Sequence, residues 1–166
     1  MNEVSLNVNL VAPEPRNPLS IFHLAQGFFL AGNRCLLNID VGPGVTQCLI
    51  SPAVVNLCLA IELLLKSVID QTGSVAPKNH KLTELFALVP AQFQKDLRTS
   101  FNAAIPQPGL DELLPQINEY FVKVRYGHEF NIFAFHEHPV YFLAKFLYEQ
   151  TAQHLGQKTG LELLRV

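Results

Sequence analysis

Apolar residues in this chain recur every three to four positions over long stretches and rarely alternate, which is the spacing of helices rather than strands. In Ser51 to Ile69 (SPAVVNLCLAIELLLKSVI) the stripe Val54, Leu57, Cys58, Ile61, Leu64, Leu65 and Val68 predicts a helix, and Glu62 and Lys66 are its only charges. A helix that is apolar nearly all round belongs inside a fold. Upstream, Leu19 to Leu37 holds Arg34 but no lysine or carboxylate, and Gly27 and Gly32 mark points of weak propensity or close packing. Asn17-Pro18, Ser51-Pro52 and His138-Pro139 read as helix starts, each a capping side chain followed by Pro at the first helical position. Asp40 to Ser51, with Gly42-Pro43-Gly44, reads as a loop. Asn79 or His80 is placed to cap a third helix, Lys81 to Leu88, and Pro90 starts a further piece to about Phe101.

The break Ile105-Pro106-Gln107-Pro108-Gly109 precedes a fourth long helix, from about Asp111 to Arg125 or Tyr126. Acidic residues lie at its positive end, Lys123 and Arg125 at its negative end. Beyond Gly127, His128 to His138 is a Phe-rich loop, and a last helix runs from Pro139 to about Leu155. Only Val4 to Val11, VSLNVNLV, alternates like a strand, inside an otherwise irregular segment 1–17. The expected fold is all-α, an antiparallel up-and-down bundle of four to five helices forming a single domain over 1–166. The second and fourth helices should be neighbours, because Val54 to Ile69 needs cover on most sides.

The 166 residues suffice for one well-filled core. Twelve basic against fourteen acidic residues give a net charge of −2, so no global positive field draws in nucleic acid and phosphate binding would need a local patch. Cys35, Cys48 and Cys58 form no metal-finger or redox spacing. Their odd number, with no basic region at the start, predicts a reducing compartment and a cytoplasmic location. Asn56, Glu62 and Lys66 interrupt the longest apolar run, so no membrane association is expected.

Several polar residues carry two readings. Glu62 and Lys66, four apart, are either a stabilising pair on an exposed stripe or a functional pair in a cleft. His80 is either a helix cap or a phosphate-facing residue, since helix N-termini also bind anions. Arg125 either complements the end of its helix or binds phosphate, and Tyr126 either packs or stacks on a base. His128, His136 and His138, with Glu129 and Glu137 between them, are ligand types that suit several divalent ions, but their spacing matches no ligand motif, so a metal site is the lesser reading and no cofactor is expected. Phe130, Phe133 and Phe135 read as a plug for the bundle end or as a dimer contact.

In order, the long apolar helix with Glu62-x3-Lys66, the loop, Asn79-His80-x-Leu82 with Leu85, and the later helix ending in Arg125-Tyr126 resemble the HEPN family of helical domains, over roughly Leu19 to Glu129. The resemblance implies a bundle, often dimeric, that binds nucleotide or RNA phosphates or partners a nucleotidyltransferase or an antitoxin encoded nearby. It assigns phosphate binding to Lys66, His80, Arg125 and Tyr126 in one groove, with Glu62 orienting Lys66. Ribonuclease members of the family carry an Arg, four to six residues and then a His; here His128 follows Arg125 after two residues and His136 after ten. A divergent, metal-independent, dimeric ribonuclease using Arg125 and His128 is therefore the alternative, with RNA cleavage expected to be weak or absent. A purely structural oligomerisation protein is the third reading.

Overall fold

The computed structural model describes residues 16–125 and 137–158, apart from the side chains at 122, 125 and 137. The order is α1 (Pro18–Cys35), β1 (Ile39–Gly42), β2 (Val45–Gln47), α2 (Ile50–Gln71), α3 (Leu82–Leu88), α4 (Ala91–Ala104), α5 (Leu110–Arg125) and α6 (Glu137–His154). The chain is mostly α, a helical bundle with one small antiparallel hairpin. Segment 82–104 contributes two short helices because Val89-Pro90 is extended and Pro90 starts α4, which brings the described helices to six.

α2 is the axis. It packs against α1, α3, α5 and α6, so the expected contact with the fourth long helix, α5, is present. Thirteen of its twenty-two residues are buried, among them Leu57, Ile61, Leu64, Leu65 and Val68. Burying each such Leu or Ile contributes about 1.5–3 kcal/mol. Among the described residues α2 is also the one helix long and apolar enough to cross a membrane, and most of that stretch lies inside the protein. On its flank, Tyr148 of α6 stacks between Phe22 and Phe29 of α1, with ring centroids 5.5 and 5.1 Å away. Gln26 donates to the Tyr148 hydroxyl at 2.5 Å, satisfying its polar end.

Asn17 caps α1 as the sequence indicates, its side chain accepting from Leu19 N at 3.0 Å. The other two Pro-marked starts differ. α2 begins at Ile50, one residue before Ser51, without a side-chain cap, because Leu49 N donates to Cys35 O at 3.0 Å and so fixes the chain's return against the end of α1. α6 already includes Glu137, which places His138 inside the first turn rather than in a capping position. The expected loop from Asp40 holds the hairpin β1–β2, whose turn is Pro43-Gly44 with Gly44 at φ +72°. Val4 to Val11 lies outside the described residues.

Two helices are capped from elsewhere in the fold. Asn102 of α4 accepts from Leu110 N at 2.8 Å to start α5, and Asn118 of α5 accepts from Leu82 N at 2.6 Å to start α3. Arg98 of α4 binds both oxygens of Asp111 of α5 at 3.0 Å and lies over the Phe86 ring of α3 at 4.8 Å. The short helices are thereby fastened to one another.

The two α1 glycines separate cleanly. A Cβ on Gly32 would sit 2.8 Å from Leu57 Cγ and 3.2 Å from Ala53 O, whereas a Cβ on Gly27 meets nothing within 4 Å. Gly32→Ala should therefore lower stability by about 1–3 kcal/mol through overpacking, and Gly27→Ala should raise it by roughly 0.5–1 kcal/mol. Urea unfolding midpoints will show shifts of opposite sign.

A pH dependence also follows. Burial lifts the Cys58 thiol from 9.0 to about 12. Burial lifts the Tyr148 hydroxyl above 10.0 too, outweighing the lowering by its hydrogen bond from Gln26. The unfolded chain releases both protons at lower pH than the folded chain, so their contribution is intact below pH 9 and is lost as pH rises toward 12. Urea midpoints measured from pH 8 to 11 should fall above about 9, and less steeply in Cys58→Ala.

Candidate functional site

The loop after α2 delivers His80 to the flank of that helix. Gly73 adopts φ +81° to end α2, Asp70 Oδ1 accepts from Ala76 N at 2.6 Å, and Arg16 donates to Ala76 O at 3.2 Å. Ala76 is buried, so the loop is folded against the bundle. Asn79 then donates to Glu84 at 2.8 Å.

His80 does not cap α3. The N-cap of that helix is Lys81, which makes no side-chain cap bond, and the orphan amide of Leu82 is taken by Asn118. The imidazole instead turns back to α2, where Nδ1 lies 2.9 and 3.0 Å from the two oxygens of Glu62. Glu62 also accepts from Lys66 Nζ at 2.7 Å. Because a carboxylate only accepts, the network assigns the Nδ1 proton to His80 and leaves Nε2 with no described protein partner.

The exposed-stripe reading of Glu62 and Lys66 is overturned, since the residues are only 5% and 9% exposed. Position decides this: the returning loop places His80 against Glu62 on that flank of α2. His80, by contrast, has a side chain 68% exposed, and its ring stacks on Phe121 of α5 with centroids 6.2 Å apart at 24°. The cluster is thus a buried ion pair under an exposed, oriented imidazole. Lys66 uses one of its three N–H donors on Glu62, and the other two have no protein acceptor among the described residues.

Of the residues expected to share a groove, Lys66 and His80 meet at Glu62. Arg125 ends α5, one turn beyond Phe121, but its side chain lies outside the described residues, as do Tyr126, His128, Phe130, Phe133, Phe135 and His136. Among the described residues no three His, Cys, Asp or Glu side chains are grouped to hold a metal. Sequence reasoning missed Phe121; its position four residues before Arg125 on the same helix was the available signal.

A separate cavity lies elsewhere. About 820 Å³ in volume, it sits between α4 and α6 and is lined by Phe93, Lys95, Thr99, Ser100, Gln150 and His154 among others. None of the candidate site residues named from the sequence lines it, and its carboxylate Asp96 already accepts from Gln92 at 2.7 Å. The chain matches no protein family, no curated protein and no solved structure.

The cluster makes an ordered prediction for stability. Glu62→Ala strands the Lys66 ammonium in the interior and should cost about 3–5 kcal/mol. Lys66→Met should cost less, since Glu62 keeps His80. His80→Ala removes a mostly exposed partner and should cost under about 1 kcal/mol. Denaturant unfolding of the three variants will show whether this order holds.

Proposed function

We propose that this chain is a HEPN-like binding or partner module, dimeric in solution, that takes the phosphate of a nucleotide or RNA against His80 and Lys66 without chemistry of its own. The observation that carries the reading is the Glu62–Lys66–His80 cluster. A buried ammonium with two donors to spare lies beneath an exposed imidazole whose orientation is set by Glu62. Glu62 offsets one positive charge, so a phosphate arriving at the cluster meets donors already in place.

Phe121 supports an extended ligand. With His80 it forms an aromatic surface beside the ion pair, and base stacking on such surfaces tolerates any sequence. Arg125, one turn further along α5, is the next contact in this reading, since a guanidinium grips phosphate through two parallel hydrogen bonds. The net charge of −2 fits a local site rather than a general nucleic-acid surface. A partner of the nucleotidyltransferase or antitoxin kind would present its nucleotide or acidic group to the same cluster.

Purified protein titrated with ATP and with labelled single-stranded RNA tests this, alongside Lys66→Met, His80→Ala and Arg125→Ala. Binding should fall about tenfold or more in each variant, as for a lost charged hydrogen bond, and should weaken as salt is raised. RNA should remain intact. Binding unchanged in all three variants would remove the cluster from the ligand's path. Robust metal-independent cleavage, lost in Arg125→Ala and His128→Ala, would make the ribonuclease reading correct.

A further inference from the structure

A second cavity, about 300 Å³ in volume, opens at the N-terminal end of α2. It lies about 18 Å of helix away from Glu62, at 1.5 Å per residue from Ile50. Its walls come from three places: Asn33 and Leu36 where α1 ends, Cys48 and Ile50 where the hairpin returns, and His138 and Tyr141 at the start of α6.

These walls are held without a ligand. Leu49 N donates to Cys35 O at 3.0 Å, and the Cys48 thiol donates toward Cys35 O and Leu36 O at 3.5 and 3.4 Å. The Tyr141 ring packs on Phe29, centroids 6.2 Å apart, and edge-on to Phe142 at 5.6 Å. Leu36, Ile50 and Tyr141 are half-buried against the core, so the floor is apolar. With its S–H directed to two carbonyls, the Cys48 sulfur offers soft, polarisable surface.

One polar group stands apart. Asn33 is half-buried, and its side-chain amide makes no hydrogen bond to any described residue. It lines the cavity and keeps its donors and acceptor for a ligand. The volume is the share of about ten waters, too small for a peptide helix or a folded partner and right for one or two fused rings. Water in an apolar-walled space is poorly bonded, and a flat apolar molecule that displaces it gains affinity.

We propose that this cavity binds a small aromatic molecule of one ring or two fused rings carrying a single hydrogen-bonding group. The ring lies against Leu36, Ile50 and Tyr141, and the polar group pairs with the Asn33 amide. The site is separate from the His80 cluster and does not depend on the function proposed for it.

Indole is the probe. The protein contains no Trp, so indole fluorescence is read without background. Titration of indole with the full chain should give a saturable blue shift. Ile50→Phe fills the cavity and should abolish it, and Asn33→Ala should weaken binding about tenfold, the loss of one hydrogen bond. As a second reading on the unaltered protein, saturating indole should slow alkylation of Cys48 by iodoacetamide while leaving Cys35 unaffected, followed by peptide mass. No saturable shift, equal binding in a folded Ile50→Phe, or no protection of Cys48 overturns the proposal.

Discussion

A carboxylate and an ammonium taken out of water on the same helix have to find each other, and much of this bundle is arranged around that need. Glu62 and Lys66 interrupt the apolar surface of α2, the helix on which α1, α3, α5 and α6 all rest. Each alone would carry a desolvation cost of several kcal/mol in the interior. Together they lie 2.7 Å apart, and Glu62 gains a second donor from His80. The loop from Thr72 to Lys81 supplies that second donor, because it brings the imidazole back along α2 to Glu62.

That arrangement also separates two roles within one cluster. Glu62 is buried and holds both Lys66 and His80, while the His80 side chain is exposed. Orientation of a histidine by a buried carboxylate fixes which ring nitrogen faces outward. In the proposed reading, a ligand at His80 would meet a group whose geometry was set during folding rather than on binding, which limits the entropy lost on association.

The sequence made the long elements legible because their signals are local. Asn17-Pro18 predicts the start of α1, the 3.6-residue stripe predicts α2, and the run of Pro and Gly at 105–109 predicts the break before α5. The hairpin was not legible: strands of four and three residues, exposed throughout, leave no inward-outward alternation to read. Nor were the cap of α3 or the direction of His80. Asn79 and His80 stand in capping positions by sequence, yet the competing partners, Asn118 and Glu62, lie 36 and 18 residues away. The closeness of Lys66 to His80 could be anticipated from the order of motifs, whereas burial of the ion pair could not, because a charged pair spaced i, i+4 looks the same on a wet face and under a loop.

The borrowed caps have a consequence for how the protein comes apart. α3 is seven residues long, too short to persist by itself in water, and its first amide is held by a side chain of α5. α5 is in turn started by a side chain of α4. Losing α5 releases the first amide of α3, and losing α4 releases the first amide of α5, so the openings of the three are coupled. Amide hydrogens in α3 then exchange with solvent on the timescale of α5, and a helix with little intrinsic stability reports the lifetime of the whole α3–α5 unit.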